Sequence, residues 1–121
     1  MSIQSEIRDK IFIVRPIDSL NKAGADEFEE LIRSEMDEGI KHVVFDLSQM
    51  AHSSSDGLRA ILRMTDELMA AGGGSFVIGL NPQMRSVFDV SGLFMLVEEA
   101  DDLDSAIRQL TDFDSSDNEE D

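Results

Sequence analysis

The sequence predicts an α/β domain with a mixed, largely parallel central sheet of about five strands and about four helices. Two observations support this fold class. Short β-rich runs alternate with longer segments of helical periodicity, which gives two strand-helix-strand units and therefore parallel pairing. The first two runs are separated by only two residues, which requires an antiparallel hairpin. At 121 residues the chain is about one domain long.

The opening residues predict that hairpin. Ile3 and Ile7 alternate with polar residues, and Asp9-Lys10 is suited to a tight turn. The run 11–14 is rich in β-branched and aromatic residues, and Pro16 stops it. We therefore expect two strands at the start of the domain.

A helix and a central strand are predicted next. Asn21 is a suitable N-cap and Gly39 a suitable stop. Between them, apolar residues recur at helical spacing: Ala25, Phe28, Leu31, Ile32 and Met36. The continuous apolar run 42–45 is typical of a strand that is buried on both faces.

The loop 49–54 leads into a second helix. Its apolar positions fall on one face: Leu58, Ile61, Leu62, Leu68 and Met69. Gly72-Gly73-Gly74 ends this helix, and residues 75–80 are predicted as the next strand.

The last third of the chain predicts two more helices and a strand. Asn81-Pro82 opens a short helix that Gly92 closes, and residues 94–97 predict a marginal last strand. Asp101 is the expected N-cap of the final helix. We therefore divide the chain into a domain of residues 1–111 and an acidic, disordered tail of residues 112–121.

The composition of the chain excludes several classes of function. The chain has 10 basic and 26 acidic residues and a formal charge of -16, which repels nucleic acid and anionic membrane surfaces. It contains no cysteine and two histidines. No metal-site spacing, activated nucleophile or catalytic acid pair is apparent, and there is no signal peptide or apolar span. We expect a cytoplasmic monomer that is not an enzyme and has no metal or cofactor.

The most informative segment is VVFDLSQMAHSSSDGLRAILRM, residues 43–64. It resembles the STAS domain of bacterial anti-sigma factor antagonists and anion transporters, whose pattern is a strand, D-L-S, a short loop, D-S-S-G-L and a helix. Asp46-Leu47-Ser48 matches D-L-S, and Gly57-Leu58 matches G-L. The resemblance extends from the first hairpin to the final helix, and it implies a single STAS-like domain.

The resemblance implies that Ser55, two residues before Gly57, is the phosphorylated serine; Ser54 is the less favoured candidate. Two departures flank the site, because Ser54 stands where the family has Asp and Asp56 where it has a small residue. A serine at a helix N-terminus lies near unpaired N–H groups, which favour an added phosphate. Taken alone, Ser54 or Ser55 is also explained as an N-cap, and Asp56 as a first-turn acid.

The surface around Ser55 is the predicted partner-binding surface. It comprises His52, Ser53, Ser54, Asp56, Gly57, Arg59 and Arg63. Arg59 and Arg63 share a helix face with Ser55 and are rare basic groups in an acidic chain. The alternative for these arginines is an ordinary ion pair with Asp66 or Glu67.

The resemblance also implies a partner-switching circuit. In such a circuit the unphosphorylated protein binds a serine-kinase anti-sigma factor, and phosphorylation of Ser55 releases it. A serine/threonine phosphatase of the metal-dependent class then restores the unmodified form. The alternative is an STAS module that is never phosphorylated and binds a ligand or acts as a scaffold in another signalling or secretion pathway. The departures from the family pattern at Ser54 and Asp56 give this alternative mild support.

Overall fold

A four-stranded sheet forms the centre of the computed structural model, which describes residues 3–52 and 54–119, with side chains as far as residue 112. The strands are β1 (Ile3–Arg8), β2 (Ile11–Pro16), β3 (His42–Asp46) and β4 (Gly74–Ile78), and they lie in this order across the sheet. β1 pairs antiparallel with β2, whereas β2, β3 and β4 run parallel. The mixed, largely parallel sheet is therefore confirmed.

The predicted hairpin is confirmed, and its turn has a clear backbone reason. Asp9 and Lys10 join β1 to β2 with φ angles of 54° and 67°. Two successive residues with positive φ match the twist of the strands that a two-residue loop joins. Pro16 is the last residue of β2. Proline has no N–H to donate to a neighbouring strand, so it is tolerated at the end of a strand.

Four helices surround the sheet: α1 (Lys22–Asp37), α2 (Ser55–Ala70), α3 (Pro82–Val90) and α4 (Leu103–Glu119). The Asn21 side chain caps α1 by accepting a hydrogen bond from the Gly24 N–H at 2.9 Å. Asn81 caps α3 in the same way, accepting from the Met84 N–H at 2.7 Å. The predicted N-cap at Asn21 and the predicted helix start at Asn81-Pro82 are therefore confirmed.

The apolar side chains form one core on each face of the sheet. Val43 and Phe45 of β3 point to the larger core, which also takes the apolar faces of α1, α2 and α3. Val44 points to the smaller core, which is covered by α4. All five residues of β3 are buried, so this strand is central, as the continuous apolar run predicts.

The prediction of a last strand at residues 94–97 is wrong. Leu93–Met95 forms a short 3₁₀ helix that follows Gly92, whose φ is 74°. Leu93 and Val97 are buried in the larger core, and the Val97 N–H donates to the Leu93 carbonyl at 2.9 Å. Local hydrogen bonds and inward packing thus replace strand pairing in this segment, and an isolated bridge between Val77 and Glu99 follows it.

The last helix also differs from the prediction. Asp102, not Asp101, accepts the capping hydrogen bond from the Ser105 N–H, at 2.8 Å. The backbone of α4 runs to Glu119 and so enters the segment 112–121 predicted as a disordered tail; residues 120 and 121 lie outside the described part of the chain. The division into domain and tail stays a prediction.

Gly79 allows the loops after β3 and β4 to lie against each other. Its φ is 77°, and a Cβ atom there would lie 2.7 Å from the Ser48 Cβ and 2.8 Å from the Ser48 backbone nitrogen. Gly92 has nearly the same φ, 74°, but a Cβ there would meet nothing within 4 Å. The two glycines therefore separate the cost of positive φ from the cost of steric overlap.

We predict that Gly79→Ala lowers the free energy of unfolding by about 2 kcal/mol more than Gly92→Ala does. Both variants place a Cβ in the left-handed region, which costs about 1 to 2 kcal/mol, but only Gly79→Ala also overlaps backbone atoms. Urea unfolding followed by circular dichroism measures both values. Equal losses would show that the contact with Ser48 imposes no constraint.

Candidate functional site

The loops that follow β2, β3 and β4 meet at one edge of the sheet, because the carboxyl ends of parallel strands lie together. The Asp18 N–H donates to the Gln49 carbonyl at 2.9 Å, and the Ala51 N–H donates to the Asp18 carbonyl at 2.8 Å. From the other side, the Asn81 side-chain amide donates to the Met50 carbonyl at 3.0 Å. The loop that leads into α2 is thus held on one side by backbone hydrogen bonds to Asp18 and on the other by the side chain of Asn81.

Asp46 fixes the start of this loop. Its carboxylate is buried, accepts from Arg15 Nε at 2.7 Å, and accepts from the Ser48 N–H at 3.0 Å. Burial alone would raise the pKa of Asp46, but the hydrogen bonds from the Ser48 side chain and backbone and from Arg15 outweigh it and hold that pKa below its ordinary value. Asp46 is therefore a structural carboxylate at the end of β3.

Ser54 is the N-cap of α2. Its hydroxyl accepts a hydrogen bond from the Gly57 N–H at 3.0 Å and donates one to the Leu20 carbonyl. Gly57 is buried, and a Cβ there would approach the Leu20 Cβ to 3.0 Å. Ser54 and Gly57 therefore join the first turn of α2 to the loop after β2, and Gly57 does not reach the predicted partner-binding surface.

Ser55 is the first residue of α2, and its side chain is exposed. Its hydroxyl has no hydrogen-bond partner among residues 3–52 and 54–112. The backbone N–H groups of Ser55 and Asp56 likewise have no acceptor in the described chain. They belong to the first helical turn, where donors are left free and the helix dipole is positive. The two adjacent serines thus differ, because Ser54 is engaged in capping and Ser55 faces solvent.

The two arginines on α2 have different partners. Arg59 lies 3.3 Å from the Asp56 carboxylate, and both side chains are largely exposed, at 64% and 41%. Arg63 pairs with Glu29 of α1, whose side chain is only 7% exposed. Neither of these ion pairs is with Asp66 or Glu67, although the charge of Arg63, after the larger effect of Arg33, also lowers the pKa of Glu67.

A charged network connects α1 to α2 behind Arg63. Arg33 lies 3.0 Å from Glu29, and Arg33 Nε donates to Glu67 at 3.0 Å. The hydrogen bonds and charge of Arg33 lower the pKa of Glu67. Glu29 lies 34 residues before Arg63, so no local sequence signal predicts its part in this network.

The remaining predicted site residues lie in the loop before α2. His52 is exposed, and its backbone N–H donates to the Asp18 carbonyl at 3.3 Å. Ser53 lies outside the described residues. The structure thus brings together His52, Ser55, Asp56 and Arg59 at one exposed edge, with Arg63 one turn further along α2.

The described residues offer no group of three or more His, Asp or Glu side chains that could hold a metal ion. Within the same part of the chain, no helix is both long and apolar enough to span a membrane. The start of α2 is a polar surface on which Ser55 is exposed.

Comparison with known proteins identifies the family of this chain. Residues 2–106 match the model of the STAS domain. This chain belongs to the STAS domain family. Within the family, it is 31% identical to a Bordetella bronchiseptica protein named as the anti-sigma factor antagonist BtrV, over 72% of this chain and 75% of that protein. It is 29% identical to the anti-sigma F factor antagonist of Paenibacillus polymyxa, over 91% and 95% of the two chains.

Solved structures show the same STAS fold. A Thermotoga maritima protein described as an anti-sigma factor antagonist has a TM-score of 0.83 and 21% identity, covering 90% of this chain and 94% of that one. The Bacillus cell fate determinant SpoIIAA in its phosphorylated form has a TM-score of 0.66 and 22% identity, covering 82% and 91%. These identities are low, so the likeness is one of fold.

We predict that Ser54→Ala lowers the free energy of unfolding by about 1 to 2 kcal/mol, because the α2 N-cap is lost and the Leu20 carbonyl loses its donor. The matched variant Ser55→Ala should change it by less than about 0.5 kcal/mol, because that hydroxyl is exposed. Chemical denaturation measures both. If Ser55→Ala caused the larger loss, Ser55 and not Ser54 would be the N-cap of α2.

We also predict that, in Asp46→Asn, the free energy of unfolding depends less on pH in the acidic range. The folded-state pKa of Asp46 is lowered, so its stabilising contribution is present at neutral pH and is lost as the pH falls below the ordinary Asp value of about 4. The free energy of unfolding, measured from pH 7 to pH 3, should therefore fall less steeply in Asp46→Asn than in the native chain.

The control for this experiment is Ile13→Val, which removes a buried methylene and no charge. It should lower the free energy of unfolding by about 1 kcal/mol at every pH and keep the native slope. If Asp46→Asn also keeps the native slope, the ionised form of Asp46 does not stabilise the fold.

Proposed function

We propose that this chain is an anti-sigma factor antagonist that binds a serine-kinase anti-sigma factor in its unphosphorylated form and is released when Ser55 is phosphorylated. The proposal is supported by membership of the STAS family and by relatives named as anti-sigma factor antagonists. It does not require catalysis by this chain, and we propose that the protein is not an enzyme and acts in the cytoplasm.

The exposed Ser55 hydroxyl is the observation on which the proposal depends. A kinase must reach the hydroxyl it phosphorylates, and Ser55 is exposed at the start of α2. Ser54 is a poorer acceptor, because its hydroxyl is held between the Gly57 N–H and the Leu20 carbonyl. Phosphorylation of Ser54 would remove an N-cap, whereas phosphorylation of Ser55 leaves the cap intact.

A phosphate on Ser55 would change the surface more than the fold. The positive end of the α2 dipole and the free N–H groups of its first turn favour negative charge at this position. The phosphate brings about 1.5 to 2 negative charges to the predicted contact surface. Loss of about 1.4 kcal/mol of binding free energy weakens a complex tenfold, so repulsion of this size at Ser55 would favour release.

The proposed contact surface consists of residues beside Ser55. His52, Arg59 and Arg63 are exposed and Asp56 is half-buried. Ser53, which lies outside the described residues, is included for its place in the sequence. The formal charge of -16 disfavours nucleic acid and anionic membranes as partners. A protein partner is therefore the simplest occupant, and a metal-dependent serine/threonine phosphatase would reset the switch at the same exposed position.

A second candidate function is supported by a separate feature. A groove of about 320 Å³ lies beside β4, and its lining includes Met69, Phe76, Leu96 and Leu110. Mostly apolar clefts of this size are typical of small-ligand sites. The alternative is thus an STAS module that binds a ligand or acts as a scaffold in another signalling or secretion pathway, without phosphorylation of Ser55.

We predict that Ser55→Ala abolishes phosphorylation by the partner kinase and preserves binding to it. Ser55→Glu should weaken binding about tenfold or more, because it places a negative charge in the contact surface. The matched control is Ser86→Glu, which adds the same charge at an exposed position on α3 and should leave binding unchanged. Intact-mass spectrometry follows the phosphate, and calorimetry with the purified kinase measures the affinity.

Two outcomes would contradict the proposal. Phosphate that persists on Ser55→Ala would place the modification elsewhere in the chain. An unmodified Ser55 in protein recovered from its native cells under every growth condition, with no co-purified protein of the kinase fold, would favour the ligand-binding or scaffold function.

A further inference from the structure

Arg59 lies on α2 within reach of two positions, only one of which it now contacts. It follows Asp56 by three residues and Ser55 by four. Side chains at both spacings are neighbours on a helix surface, with Cβ atoms about 5 to 6 Å apart. The flexible Arg59 side chain can therefore move from the Asp56 carboxylate to a group on Ser55 without any change in the helix.

The present contact of Arg59 is easily exchanged. The Arg59–Asp56 distance is 3.3 Å, and the two side chains are 64% and 41% exposed, so water screens their attraction. A phosphoserine at position 55 would offer more negative charge than a carboxylate and three acceptor oxygens. Guanidinium groups bind phosphate through paired, charge-assisted hydrogen bonds.

Nearby basic residues are less suited than Arg59 to bind a phosphate on Ser55. Arg63 is held by the buried Glu29 carboxylate and lies eight residues after Ser55. Lys22 of α1 lines the same small polar cleft as Arg59, of about 70 Å³, but it lies 3.6 Å from Asp26 on its own helix. An ammonium group also lacks the planar pair of donors that a guanidinium presents to phosphate.

We propose that Arg59 is the phosphate-positioning residue of the switch: when Ser55 is phosphorylated, Arg59 leaves Asp56 and pairs with the phosphate. This inference rests on the proposed function of Ser55. The exchange alters three side chains of the contact surface at once. It adds a phosphate, leaves the Asp56 carboxylate unpaired, and withdraws a cation that the unmodified protein presents to its partner.

The test uses full-length protein with phosphoserine installed at position 55 during translation, so that no kinase is needed. The ³¹P resonance of the phosphate is followed from pH 4 to pH 8. Pairing with a cation favours the dianion, so the titration midpoint in Arg59→Gln should be about half a pH unit higher than in the native chain. The Arg59 Nε–H resonance should also shift on phosphorylation of the otherwise native chain.

The matched control is Arg63→Gln, which should keep the native titration midpoint, because Arg63 remains with Glu29. Arg59→Lys should restore part of the difference, since it returns the charge without the planar donors. An unchanged midpoint in Arg59→Gln would overturn the proposal. A shift in Lys22→Gln that equals or exceeds the shift in Arg59→Gln would assign the phosphate contact to α1 and overturn it as well.

Failure of this proposal is distinguishable from failure of the proposed function. The titration reports on the phosphate environment whether or not cells phosphorylate Ser55. If Ser55 is phosphorylated in cells but Arg59→Gln leaves the titration midpoint unchanged, the proposed function of Ser55 is retained and Arg59 has no part in the switch.

Discussion

Strand β3 imposes the constraint on which the rest of the fold depends. All five of its residues are buried, and it pairs in parallel with β2 on one side and β4 on the other. Parallel pairing requires helical crossovers, so α1 and α2 must cover the sheet. It also brings the loops after three strands to one edge, where the hydrogen bonds of Asp18 and Asn81 hold the segment that leads into α2.

Whether an ion pair stabilises this fold depends on how deeply its carboxylate is buried. Glu29 and Asp46 are nearly fully buried, and their arginine partners satisfy carboxylates that would otherwise be costly to bury. Arg59 and Asp56 lie in solvent at the start of α2, where their attraction is weak and exchangeable. Pairs with a buried carboxylate therefore stabilise the fold, whereas the exposed pair at the start of α2 is weak and exchangeable.

Local signals predicted most of the secondary structure. The structure confirms the Asp9-Lys10 turn, the Asn21 cap, the helix start at Asn81-Pro82 and the buried run of β3. Each of these depends on residues that are close in sequence. The segment 94–97 was the failure, because a short apolar run fits a strand and a 3₁₀ helix equally well. Inward packing of Leu93 and Val97 decided between them. The N-cap of α4 was displaced by one residue, which is the usual uncertainty at a helix end.

By itself, the sequence determined the α/β class, the order of the elements apart from the segment 94–97, and the position of three consecutive serines at the start of α2. Those features follow from periodicity, turn residues and motif spacing, which are local properties. Only the tertiary structure decided that Ser54 is the cap and Ser55 is exposed, because the choice depends on the Leu20 carbonyl, 34 residues earlier. It also decided that Arg63 belongs to Glu29 while Arg59 stays at the surface. Such contacts form only when distant elements pack, so no local pattern specifies them.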